Sequence, residues 1–304
     1  LMIPAAAAVL LGAFLKGIFG SVNVEAGAVL NSTGLKTLWL PPDGAGFVLK
    51  DAFVDAPWLG YGPSSTWSWL KTGIAVDPMS VAYSAPLWTL SIELHGSVML
   101  LLLCMLYRWR PRLWSAAMIV LAVLLLRSHF LCFLVGHLIG VAMLKERRQW
   151  NLHPLVCIAL IDVGLYLCIS EELGPNSVFA AICRPTALPI LPCLDHTQKI
   201  YGSMFLFSGL FFSKAIRDAL ENKISCYFGK ISFSLYLIHW PIVFGLGSAL
   251  FLALTPRLST GLAVAITLGC VVPICVGAAH LFSKIDGFAI RLARRWRRAI
   301  DAAP

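Results

Sequence analysis

Gly229–Pro241 reads GKISFSLYLIHWP, a long apolar helix that carries Ser232, Tyr236 and His239 and is then broken by Pro241. The three polar residues recur at i, i+4 and i+7, so they share one helix face. Pro241 has no backbone N–H and cannot continue the ladder of helix bonds. A histidine inside so apolar a run sits at bilayer depth, where an ionisable group is a functional hypothesis by default.

Composition settles the solvent. The chain is 59% hydrophobic and 13% charged, with a mean hydropathy of +0.80. A soluble domain carries roughly 25% charged residues, so this is an integral membrane protein. Separated apolar runs, rather than strand-like alternation, predict helices and argue against a barrel. The fold class expected is all-α, a polytopic transmembrane helix bundle in a single membrane domain over 1–304. Eight spans are read at about 2–20, 84–107, 112–126, 128–144, 154–170, 198–213, 231–252 and 259–282. The first run lacks a basic n-region and a processing site, so no cleavable signal peptide is expected. The chain opens at Leu1 rather than Met, as a fragment, a processed product or an unusual start would.

Lys and Arg assign the sides. Arg108, Arg110, Arg112, Lys145, Arg147, Arg148, Lys214, Arg217, Lys223, Lys230 and the basic tail 283–304 fall in one set of connections. The opposite set, with Lys36, Lys50, Lys71, Arg127, Arg184, Lys199 and Arg257, is poorer although its loops are longer. The richer side is cytoplasmic by the positive-inside rule. Both termini of this chain then lie in the cytoplasm, in a multi-pass cell membrane (plasma or inner). The net charge of +9 is a topology signal, because the basic residues are spread over helix ends rather than gathered on a nucleic-acid face.

Two outer loops are long. Residues 21–83 hold Trp39, Trp58, Trp67 and Trp69 among Gly and Pro, which suits an irregular loop with aromatic anchors or a lid over an acceptor. The sequon at Asn31 within it decides nothing. Residues 171–197 hold Cys183 and Cys193, which could pair in an oxidising compartment. Cys104, Cys132, Cys157, Cys168, Cys270 and Cys275 fall in spans as small packing residues. No Cys or His grouping has metal-ligand spacing, so no metal is expected.

The other informative stretch is Ala85–Ser97, APLWTLSIELHGS. Pro86, Thr89, Glu93 and Ser97 recur every three or four residues and form one polar stripe. Glu93 at the bilayer centre needs protonation, a partner or water. Counting 1.5 Å per residue places Glu93 roughly 13 Å below the outer edge and His239 roughly 12 Å above the inner one, both near the midplane. A carboxylate facing an imidazole is an arrangement that general-base chemistry uses. Ser232 and Tyr236 could fix the imidazole tautomer. Asp162 and His137 come out at similar depth, and for them a structural polar contact is the expectation.

These residues carry a resemblance. APLWTLSIELHGS resembles the PLW-S/T-L-S-x-E segment, and FGKISFSLYLIHWPI the G-x-I-S-Y-S-x-Y-L-x-H-x-P segment, of the integral membrane acyltransferase family three. FLCFLVGHLIGVAML is similar to that family's F-L-x-G-x-x-x-A helix, in the order expected. The resemblance implies a bundle of roughly ten helices whose members O-acylate sugars, polysaccharides and other acceptors. It also implies an Arg and a catalytic His on a first helix that nothing here matches, so two N-terminal spans are expected to be lacking. Asp286 matches an acidic residue of the closing segment, with Gly287 where the family has proline.

Carried over position by position, the resemblance assigns Glu93 and His239 to the catalytic chamber, with His239 as a supporting residue rather than the principal base. Trp88, Ser91, Tyr236, Trp240 and Pro241 shape it, and Trp88, Ser91, Ser232, Tyr236 and Trp240 are expected to contact substrate. The implied reaction moves an acyl group, expected to be acetyl, from acetyl-CoA or another acyl-CoA to a hydroxyl of a carbohydrate or other small acceptor. Basic inner ends such as Arg108 and Lys230 could attract the donor's phosphates, although topology explains them equally well. The alternatives are a catalytically inactive acyltransferase-like membrane protein and, less favoured, a proton-coupled transporter, for which the internal repeats are missing.

Overall fold

The computed structural model describes residues 2–62, 65–69, 73–146, 151–169 and 197–301, and these form helices without any strand. In chain order they are α1 (Met2–Phe19), α2 (Val22–Val29), α3 (Thr33–Thr37), α4 (Ala45–Lys50), α5 (Thr66–Trp69), α6 (Trp88–Trp109) and α7 (Pro111–Leu124). There follow α8 (Phe130–Glu146), α9 (Pro154–Ile169), α10 (Thr197–Phe212), α11 (Lys214–Leu220), α12 (Lys223–Pro241), α13 (Ser248–Leu254) and α14 (Thr260–Asp301). Wider π-helical turns occupy Asp51–Leu59 and Ile242–Gly247.

The eight spans expected from sequence are not supported. Among the described residues four helical stretches are long and apolar enough to cross a membrane: Met2–Phe19, Ala85–Trp109, Lys223–Leu254 and Thr260–Trp296. The runs read at 112–126, 128–144, 154–170 and 198–213 fold as α7 to α10, of 14, 17, 16 and 16 residues. A perpendicular crossing needs about 20 residues. Hydropathy alone missed this because turns and prolines cut the apolar sequence short: Pro111 opens α7, and a turn follows Leu124. The tail at 283–304 was read as separate from the last span, yet α14 continues unbroken through it to Asp301.

The chain forms two compact units, residues 1–91 with 227–304, and residues 92–226. In the first, α1 turns a small-residue face of Ala5, Ala8 and Val9 toward Ala52 and Ala56, with Leu237, Ile238, Val271 and Ala279 in the same core. Gly12 permits a close approach of α1 to Tyr83: a Cβ there would lie 2.6 Å from the Tyr83 carbonyl oxygen. Ala52, Ala56, Tyr61, Ala82 and Tyr83 of the region 21–83 are therefore part of this core rather than draped over it. Trp39 is fully buried and donates its indole N–H to Tyr83 O at 3.1 Å. Asn23, also fully buried, donates to the carbonyls of Leu35 (2.9 Å) and Trp39 (3.2 Å).

Pro241 leaves Leu237 O without its usual i+4 donor. Ser84 replaces the missing amide, its hydroxyl donating to Leu237 O at 2.8 Å. Past this point the helix widens into the π turns Ile242–Gly247 before resuming as α13.

In the second unit α6, α7 and α8 meet around Leu103, Met118 and Leu134. Helices α9 and α10 pack through glycines, as close helix pairs in lipid do. A Cβ on Gly164 would come 2.5 Å from Leu206 N, and one on Gly209 would come 2.8 Å from Cys157 O. The Trp114 indole donates to His137 Nε2 at 3.1 Å, so the partner of His137 is this tryptophan rather than Asp162, which is exposed. The loop carrying Cys183 and Cys193 lies outside the described residues.

Candidate functional site

The two motif stretches meet in the first unit. Thr89 Oγ1 lies 2.8 Å from Tyr236 Oη, and the Tyr236 phenol donates to Pro86 O. The chain of hydroxyls therefore runs from Thr89 through Tyr236 to Pro86. Together with Ser84 on Leu237 O, it fixes the start of α6 against the middle of α12. The sequence showed Thr89 and Tyr236 as members of separate polar stripes and gave no sign that the stripes bond to each other.

His239 is half-buried one turn further along α12. Its Nδ1 lies 3.0 Å from both Leu235 O and Tyr236 O. Carbonyl oxygens only accept, so Nδ1 carries the proton and Nε2 is the basic nitrogen. This corrects the expectation that Ser232 and Tyr236 set the tautomer. The Ser232 hydroxyl donates to Gly229 O at 2.9 Å instead, and the Tyr236 ring tilts against the imidazole with centroids 6.3 Å apart.

His239, Tyr236 and Ser232 line an apolar cavity of about 560 Å³ that residues of α14, together with Ala26, Leu30 and Leu35, also line. This volume falls within the ordinary range of small-molecule sites. Two further hydroxyls line it that sequence reasoning passed over, Ser248 and Thr267. Both are buried and have no hydrogen-bond partner among the described residues. The available signal was a lone hydroxyl in an apolar helix, which is common enough to be unremarkable.

The other expected site residues fall elsewhere. Trp240 stacks on Phe244 with centroids 4.4 Å apart, and its buried indole N–H lacks a partner among the described residues. Ser91 is fully buried and donates to Trp88 O at 3.3 Å. Its Oγ also lies where a Cβ on Gly60 would be, 2.4 Å away, so Ser91 is a packing residue against that left-handed glycine (φ 71°). Trp88 packs against the apolar core of this unit. Glu93 is half-buried on the part of α6 that belongs to the second unit.

A carboxylate cluster lies outside the spans. Asp51 is 1% exposed, takes a hydrogen bond from the Tyr61 phenol and takes another from Tyr83 N at 3.1 Å. Burial outweighs these bonds and raises its pKa to about 6. Burial, then the Asp51 charge, also pushes the Tyr61 phenol well up. Asp55 is raised by burial as well, against the pull of Lys50, whose ammonium stands 3.1 Å from Asp55 and 2.5 Å from Asp77. Among the described residues no group of three or more His, Cys, Asp or Glu could hold a metal ion.

No family model matches the chain, and no solved structure matches it. Over 206 residues it is 27% identical to "O-acetyltransferase PaAT-1" of Phomopsis amygdali, covering 59% of this chain and 40% of that protein. The chain thus spans about two fifths of the length of the curated relative it matches. Its likeness is to an O-acetyltransferase, which supports a transferase.

Proposed function

We propose that this chain carries the reaction chamber of a membrane-bound O-acyltransferase that moves an acetyl group from a thioester donor to a hydroxyl. The observation that carries the proposal is His239: Nδ1–H is tied to its own helix, and the ring lines a cavity that is otherwise mostly hydrocarbon. In such surroundings Nε2 can accept the proton of an acceptor alcohol as its oxygen forms a bond to the thioester carbonyl. Collapse of the tetrahedral intermediate breaks the C–S bond, and the proton leaves with the thiolate. Glu93, on the part of α6 that belongs to the second unit, is proposed as a further catalytic residue on its sequence motif alone. Acetyl-CoA as donor and a carbohydrate or other small hydroxyl compound as acceptor are part of the proposal.

The test is transfer of radiolabelled acetyl from acetyl-CoA in membranes that hold the complete protein. His239→Ala and Glu93→Gln should each abolish labelled product with the protein's membrane level unchanged. Full turnover in either variant would overturn the assignment of that residue.

A further inference from the structure

The cavity beside His239 has a shape that its role in acyl transfer does not require. On the Lys223–Leu254 stretch its wall runs from Ser232 to Phe251, and on α14 from Val264 to Val276. At 1.5 Å per residue these walls are roughly 28 Å and 18 Å long. A volume of 560 Å³ spread over such lengths makes a long, slender groove rather than a rounded chamber. An extended peptide would be slim enough, yet its backbone amides would find few partners on so apolar a wall. A methylene chain fits both the width and the chemistry. At about 30 Å³ per water-sized group the groove holds on the order of 18 methylenes.

The two unpartnered hydroxyls supply an independent observation. Ser248 is 4% exposed and Thr267 is 9% exposed. They line the groove from α13 and α14. A Cβ on Gly247 would approach Val271 at 3.6 Å, which brings Ser248 to the stretch of α14 one turn from Thr267. Buried hydroxyls are nearly always satisfied, and hydrocarbon cannot satisfy these.

We infer that the groove binds a single long aliphatic chain bearing a carbonyl, whose oxygen accepts from Ser248 and Thr267 while the hydrocarbon runs past His239 toward Ser232. This goes beyond the acyl-transfer reading and does not depend on it. A free fatty acid and the ester of a membrane phospholipid present the same chemistry.

The experiment uses the full chain in nanodiscs, with palmitic acid and phosphatidylcholine each carrying a diazirine. After irradiation, mass spectrometry maps the labelled peptides. Saturable labelling confined to Ser232–Phe251 and Val264–Val276 is expected, cut about tenfold by Ser248→Ala with Thr267→Val. Unlabelled palmitic acid or unlabelled phospholipid, whichever competes, names the source. Uniform labelling of all lipid-facing helices without competition would mean annular lipid only and would overturn the inference. The double variant without probe should melt no lower than the parent, because neither hydroxyl has a protein partner to lose. A lower melting temperature in detergent free of fatty acid and phospholipid would show that such partners exist and would equally sink it. Acetyl transfer is read separately, so either proposal can fail without the other.

Discussion

Thr89 and Tyr236 stand 147 residues apart in sequence, and their side-chain oxygens stand 2.8 Å apart. Tyr236→Phe removes the bond to Thr89 and the one to Pro86 O, so a loss of about 1–3 kcal/mol is expected for this half-buried pair. A double-mutant cycle with Thr89→Val, followed by thermal unfolding in detergent, should show a coupling of at least about 0.5 kcal/mol. Strict additivity would mean that the two hydroxyls do not act together.

His239→Asn and His239→Gln each keep one half of the imidazole's hydrogen bonding and should fail alike. The Asn amide can still donate to Leu235 O or Tyr236 O but offers no counterpart of Nε2, while Gln reaches the Nε2 position without its basicity. Both should lose acetyl transfer by about 100-fold or more if proton transfer is the imidazole's task. Retained activity in the Gln variant would assign His239 a hydrogen-bonding part instead.

Asp51 makes stability depend on pH. Its folded pKa of about 6 lies above the ordinary carboxyl value of 3.8, so between these values the folded chain holds a proton that the unfolded chain has released. Its contribution is fully present below about pH 4 and is lost as pH rises through 6, with a size of about 3 kcal/mol. Unfolding midpoints measured from pH 4 to 8 should fall across this window in the parent. In Asp51→Asn that fall should shrink, and an unchanged profile would exclude Asp51 as its source.

Gly164 and Gly209 set the distance between α9 and α10. A methyl at Gly164 has no room beside the backbone of Leu206. Gly164→Ala should therefore cost about 1–3 kcal/mol, read as a lower melting temperature and less protein recovered from membranes. Gly136, with open space around its Cβ position, is the control that should tolerate alanine.

What could be read from sequence was the part written in long, uninterrupted signals. The first run, expected at 2–20, is α1 at Met2–Phe19, because nothing polar or kinked interrupts it. The stretch 259–282 was found but ended too early, since the Arg-rich continuation is a charged helix that a hydropathy reading mistakes for a tail. Four shorter runs were promoted to spans because hydropathy does not measure how many residues lie between turns. Trp39 resembled an interfacial anchor and is a core residue, a difference set by tertiary contacts that a Gly- and Pro-rich segment does not announce. Depth arithmetic placed His239 near the bilayer midplane, yet the bond fixing its tautomer comes from the backbone, which carries no sequence signal.

Ser84 on Leu237 O makes one side chain stand in for a peptide amide. Every other carbonyl in an ideal helix is held by its own chain, four residues on, and moves with it. Here the hold comes from the segment leading into α6, so α12 is pinned from outside like a shaft by a set screw. Turning the shaft to re-aim the imidazole two residues beyond requires that screw to be loosened first. The orientation of His239 is therefore governed by a residue that belongs to another part of the sequence and carries no chemistry of its own.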